Sequence, residues 1–168
     1  MAVEPPALAT VRRILLVTLI LGVAGNAVEL LLLGHFEDWA QRVPLVLSAV
    51  LLVALIWLGA TRGPLPMRAL QGVLVLSAMS GGLGVLLHYR GSMEFELEMY
   101  PSLAGFELFR EAMTGATPAL APGTMLLFAL IGLAYTYRHP RLQAAEVETP
   151  VISRASRPDT IRVKERES

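Results

Sequence analysis

The chain has no cysteine, which excludes disulfides and thiolate metal ligands. Lysine is nearly absent as well: Lys164 stands alone, and arginine supplies the rest of the positive charge. Charged residues make up only 17% of the chain, whereas soluble domains carry about a quarter. No P-loop, GxGxxG, GxSxG or HExxH motif occurs, and no apolar run holds a pair of histidines fit to ligate haem. These gaps remove the commonest phosphate-cradling, hydrolase and metalloprotease readings. Nucleic acid is not an expected partner, since no basic patch or binding motif is present.

What the chain has in abundance is apolar sequence. Hydrophobic residues make up 54%, the mean hydropathy is +0.57, and the apolar residues are gathered into blocks. These run from Ile14 to Gly34, Val43 to Ala60, Ala69 to Leu87 and Ala119 to Tyr137. A helix crossing a ~30 Å hydrocarbon core needs roughly 17–25 residues, and each block meets that length. In lipid the backbone must satisfy its own hydrogen bonds, as a helix does. The expected fold class is therefore an all-α integral membrane protein, with four transmembrane helices in an antiparallel bundle over residues 1–140. The lipid bilayer is its first partner.

Arginine sets the orientation. Arg12 and Arg13 precede the first span, Arg62 and Arg68 lie between the second and third, and Arg138 and Arg141 follow the fourth. On the other side, Glu37 and Asp38 outweigh Arg42, and loop 88–118 sets five glutamates against Arg90 and Arg110. The positive-inside rule puts both termini in the cytoplasm and loop 88–118 outside. The lysine-poor composition, rich in Ala, Leu, Gly and Arg, makes a bacterial inner membrane the default location. Arg12-Arg13 before an apolar core also resembles a signal peptide, but the run continues through Leu33, so an uncleaved span is expected.

The long outer loop has internal order. Ser102 reads as an N-cap and Gly115 as a stop, with Leu103, Phe106, Phe109 and Met113 on one helical face. This predicts a short interfacial helix. Ahead of it, residues 93–99 alternate glutamate with apolar residues, and the period of two predicts an extended strip with Glu94, Glu96 and Glu98 on one side. Residues 61–66 read as a tight turn, and residues 141–168 as a disordered cytoplasmic tail. The aromatic residues near span ends read as an interfacial belt.

Two groups of polar residues are the candidate sites. Gly22, Gly25, Asn26 and Glu29 form a small-and-polar stripe on span one, and Ser77, Ser80, Gly81, Gly84 and His88 form another on span three. Small residues allow close backbone approach in lipid, so the two spans are expected to pack on these stripes, with Glu29 reaching His88. An intramembrane carboxyl is costly and should face protein or water. Its roles are packing through hydrogen bonds, a proton or ion site, or contact with another subunit. The second group lies outside: His35, Glu37, Asp38, His88, Glu94, Glu96 and Glu98 offer nitrogen and oxygen ligands to zinc or another divalent metal. That metal is the single cofactor the sequence admits, and no fixed-spacing motif supports it.

The leading function is association, as an accessory subunit or scaffold in the membrane, with a membrane-protein partner or a second copy as the other party. The alternative is a small oligomeric carrier or channel-like protein that uses Glu29. A membrane enzyme built on the outer His and carboxylate cluster is a third reading, and the missing motifs speak against it. The cysteine-free background makes the topology directly testable. Glu96→Cys should react with an impermeant maleimide on intact cells, and Ser156→Cys only after lysis. The opposite pattern would invert the orientation.

Overall fold

A computed structural model describes residues 4–34, 36–61, 63–114 and 122–143. The helices are α1 (Pro6–Leu32), α2 (Trp39–Ala60), α3 (Pro64–Met99), α4 (Gly105–Thr114) and α5 (Gly123–Thr136). No strand occurs among the described residues. The protein is all-helical, and α1, α2 and α3 are each long and apolar enough to cross a membrane.

Local chemistry explains most boundaries. Pro6 opens α1 in the first turn, where a missing N–H costs nothing, so the helix begins two turns before the apolar block. Gly34, with φ +66°, ends it in the left-handed conformation that glycine adopts freely. Asp38 is the extended N-cap of α2, and Gln41 Oε1 accepts the backbone N–H groups of Glu37 and Asp38. This cap starts α2 one turn ahead of Val43. Pro64 lies in the first turn of α3, so the expected tight turn at 61–66 yields to helix after Gly63.

The largest departure from expectation is at the other end of α3. Residues 93–99 are helical, not an extended strip. Glu, Leu and Met are good helix formers, and a helix already running from Pro64 adds turns without a new nucleation cost. No neighbouring strand exists among the described residues to reward the alternative. The 36 residues of α3 extend about 54 Å, well beyond a ~30 Å hydrocarbon core.

Helix α4 folds back on this extension and packs against α3. Gly105, at φ +59°, turns the chain into it, so the helix starts later than Ser102. Ala112 is fully buried, while Phe106 is 78% exposed. The face set against α3 therefore centres on Ala112. Gly115 and residues 119–121 lie outside the described residues, as does the tail beyond Gln143.

The core joins Leu19 and Val23 of α1, Leu51, Leu55 and Leu58 of α2, Leu70 and Leu74 of α3, and Met125 and Phe128 of α5. Helix α5 packs on both α1 and α3, and α2 also packs on both. The small residues permit this. A Cβ at Gly22 would stand 2.5 Å from Phe128 Cε1, one at Gly81 2.7 Å from the Leu126 backbone nitrogen, and one at Gly84 2.7 Å from Pro122 Cβ. A Cβ at Gly132 would collide with the Leu74 isobutyl group. The expected packing of span one on span three is corrected: Gly22 and Asn26 of the first stripe and Gly81 and Gly84 of the second turn toward α5.

This geometry distinguishes neighbouring glycines. Gly81→Ala should destabilise the fold by about 1–3 kcal/mol, because backbone must move to admit the methyl group. Gly82→Ala, with open space beside it, should be neutral or mildly stabilising. Unfolding followed by circular dichroism in detergent micelles measures both.

Candidate functional site

The stripe on α1 divides between two faces. Asn26 is half-buried, and its Nδ2 lies 4.0 Å from Met125 Sδ. Ser48 of α2 donates to the same sulfur at 3.8 Å and to Pro44 O at 2.8 Å. A polarizable thioether from α5 thus receives side chains from two other helices within the core. Gly25 and Glu29, four residues apart, are both exposed, and nothing in the chain lies within 4 Å of a Cβ at Gly25. Glu4–Arg12 and Arg110–Glu111 are ion pairs among the described residues.

On α3, Ser77 is fully buried and donates to Val73 O at 2.9 Å. Ser80 is half-buried, and Gly81 and Gly84 receive α5 as described above. His88 is half-buried and takes part in an interaction of its own.

The outer carboxylates do not gather into one site. With residues 93–99 helical, Glu94 and Glu98 share a face, while Glu96 turns away by about 200°. Glu37 and Asp38 belong to the cap of α2, and His35 lies outside the described residues. Among the described residues no three His, Asp or Glu side chains are grouped to hold a metal ion. Beside them, Tyr89 and Phe109 approach with ring centroids 5.9 Å apart, and Phe106 lies 6.1 Å from Phe109. The Tyr89–Phe109 contact fastens α4 to α3, while the Phe106–Phe109 contact lies within α4 and leaves aromatic surface facing outward.

The best-ordered polar constellation is at the opposite end, where sequence reasoning used the arginines only for orientation. Arg12 is 8% exposed. Its Nε donates to Glu4 Oε1 at 2.6 Å, Nη1 to Tyr135 O at 2.8 Å and Nη2 to Arg138 O at 3.3 Å. Arg141 Nη1 donates to Leu58 O at 2.9 Å and Thr61 O at 3.2 Å. Each guanidinium thus satisfies carbonyls at a helix C-terminus, where a positive charge also meets the negative end of the dipole. Arg138 adopts φ 47°, unusual for a residue with a side chain, in a turn closed by His139 N–H donating to Thr136 O at 3.1 Å. The sequence signal was available: the arginines used for orientation flank the start of α1 and the C-termini of α2 and α5.

His139 completes this end. Its Nδ1 accepts the Arg141 backbone N–H at 3.3 Å, capping the helical turn at 140–143, and its ring lies 5.4 Å from that of Tyr135. Burial, reinforced by the charges of Arg12 and Arg141 and opposed by Glu4, lowers its pKa from 6.5 to about 4. The arrangement is a structural clasp of guanidinium groups and an imidazole on helix ends.

No protein-family model matches the chain, and neither a curated protein nor a solved structure shows significant similarity to it. The fold and the composition alone define the class: a helical protein with membrane-spanning segments.

The clasp has a pH signature. The folded state holds His139 neutral, so its contribution to stability is complete above pH 6.5 and is lost as pH falls toward about 4. The melting temperature in detergent should fall across that window. His139→Asn, which keeps an N-cap acceptor but does not titrate, should flatten the dependence.

Proposed function

We propose that this chain is a small multi-pass membrane protein that works by association, as an accessory subunit or scaffold. In this reading α5 is a fourth span beside α1, α2 and α3, and the four form an antiparallel bundle. Both termini lie in the cytoplasm of a bacterial cell, and residues 88–118 lie outside. The contacts of Arg12 with the end of α5 and of Arg141 with the end of α2 support that arrangement. They bring the start of α1 and the ends of α2 and α5 to one side.

The observation that carries the reading is the outer element formed by the end of α3 and by α4. Arg90 to Thr114 holds five glutamates and two arginines, and Arg110 is engaged with Glu111. Phe95, Met99, Tyr100 and Phe106 are all more than half exposed on it. Large apolar side chains beside uncompensated acid, on a helix projecting past the hydrocarbon core, fit a docking surface for the basic, apolar face of another membrane protein. Leu19, Leu51, Leu70, Leu74 and Phe128 pack together between the helices, which favours association over passage through one protomer.

A carrier or channel-like reading through Glu29 is the second possibility. The outward direction of that carboxyl favours it only in an oligomer, with the pathway between copies. A metal enzyme at the outer cluster has no observation in its favour among the described residues.

Native mass spectrometry of protein purified from its own membrane tests the proposal. A foreign subunit should co-purify with the native chain. It should be lost in Phe106→Ser combined with Phe95→Ser, while helicity and melting temperature hold. A homo-oligomer alone, in both forms, would overturn the accessory-subunit reading.

A further inference from the structure

Glu29 is the anomaly of this structure. Counting from Arg13 at 1.5 Å per residue, it lies about 24 Å along α1, within a ~30 Å core. Leu30, Leu31, Leu32 and Leu33 follow it, so it sits about one turn below the outer boundary. An ionisable group at such a depth ordinarily faces the bundle or a water-filled cavity. Here Asn26 takes the inward position and Glu29 is left on the outer face, exposed and outside both ion pairs of the described residues. Lipid tails offer it no hydrogen bond.

The surrounding face has a pattern of its own. Ile14, Thr18, Leu21, Gly25, Val28 and Leu32 are all exposed on α1. Their spacing alternates four and three residues, the repeat of a left-handed seam between two helices. Gly25 falls in the seam, one turn from Glu29, and a Cβ there meets nothing within the chain. A neighbouring backbone can therefore approach closely at the level where a polar partner is required.

We infer that α1 is the contact helix of a parallel homodimer, and that the occupant of this face is α1 of a second copy. A two-fold axis along the membrane normal places Glu29 opposite Glu29 of the partner subunit at the same depth. A carboxyl group offers both donor and acceptor positions, so two of them facing each other are able to hydrogen-bond to one another. No arginine, lysine or histidine falls within the apolar run 14–34 to serve instead. A foreign helix would have to bring a matching polar group to this depth, whereas the second copy supplies it by symmetry. The inference stands apart from the docking role of the outer element, which uses a different surface.

The absence of cysteine makes the test clean. Single cysteines at Leu21, Gly25, Val28 and Leu32 in otherwise native protein, reconstituted alone into liposomes, are oxidised with copper phenanthroline. Disulfide-linked dimers should form at those positions and not at Val75, an exposed site on α3. Glu29→Leu should weaken dimerisation roughly three- to tenfold, the loss of an interhelical hydrogen bond, and Glu29→Gln should retain it. Gly25→Leu should abolish the dimer while leaving the melting temperature of the monomer unchanged, since the space beside it is empty. Equal cross-linking at Val75, a monomer throughout, or a dimer indifferent to Glu29→Leu and Gly25→Leu would each overturn the inference. Because only purified chain is present, the outcome is separate from whether a foreign subunit docks on the outer element.

Discussion

The structure depends on how closely α5 approaches α1 and α3. In lipid the hydrophobic effect does not drive helices together, because acyl chains are as apolar as leucine; contact must come from packing and hydrogen bonds. Glycine supplies the packing. Gly22, Gly81, Gly84 and Gly132 each occupy a point where a methyl group would strike the opposing helix. The 14 residues of α5 span only about 21 Å, so α5 has little length over which to gather contacts. Close approach along that length is what lets it pack on two helices at once.

With α5 in place, the polar groups sort themselves. Asn26 and Ser48 direct donors to Met125, Gln71 Nε2 donates to Thr136 Oγ1 at 3.3 Å, and Arg12 and Arg141 close the helix ends. Among the described residues no buried side-chain polar atom lacks a partner. Glu29 is excluded from this network because the inward sector of α1 is already taken by Gly22, Val23 and Asn26. Its outward position is a consequence of the α5 packing, and it makes the surface of α1 chemically unlike an ordinary lipid-facing helix.

The two ends of the molecule differ in purpose. One is a clasp of guanidinium groups on carbonyls, with a neutral histidine capping the final described turn. The other carries α3 past the hydrocarbon core and folds α4 back on it, displaying aromatic and acidic side chains together. The proposed role in association draws on this second end.

Much of this was legible in the residues. Block length and hydropathy determine that helices cross a membrane, because a bilayer is a solvent of known thickness that tolerates few charges. The small residues that admit α5 were visible as stripes, since close approach has a compositional requirement. Which helix fills each stripe was not, because a glycine records the need for a neighbour but not its identity. The helical state of 93–99 was likewise decided beyond the local pattern: seven alternating residues satisfy either period, and a helix already propagating through Leu87 decides between them. The sequence by itself determined the helical class, three helices long and apolar enough to cross a membrane, and the chemistry available. Only the tertiary structure decided direction, setting Asn26 inward and Glu29 outward three residues apart on one helix, because the packing of α5 set the rotation of α1 about its own axis.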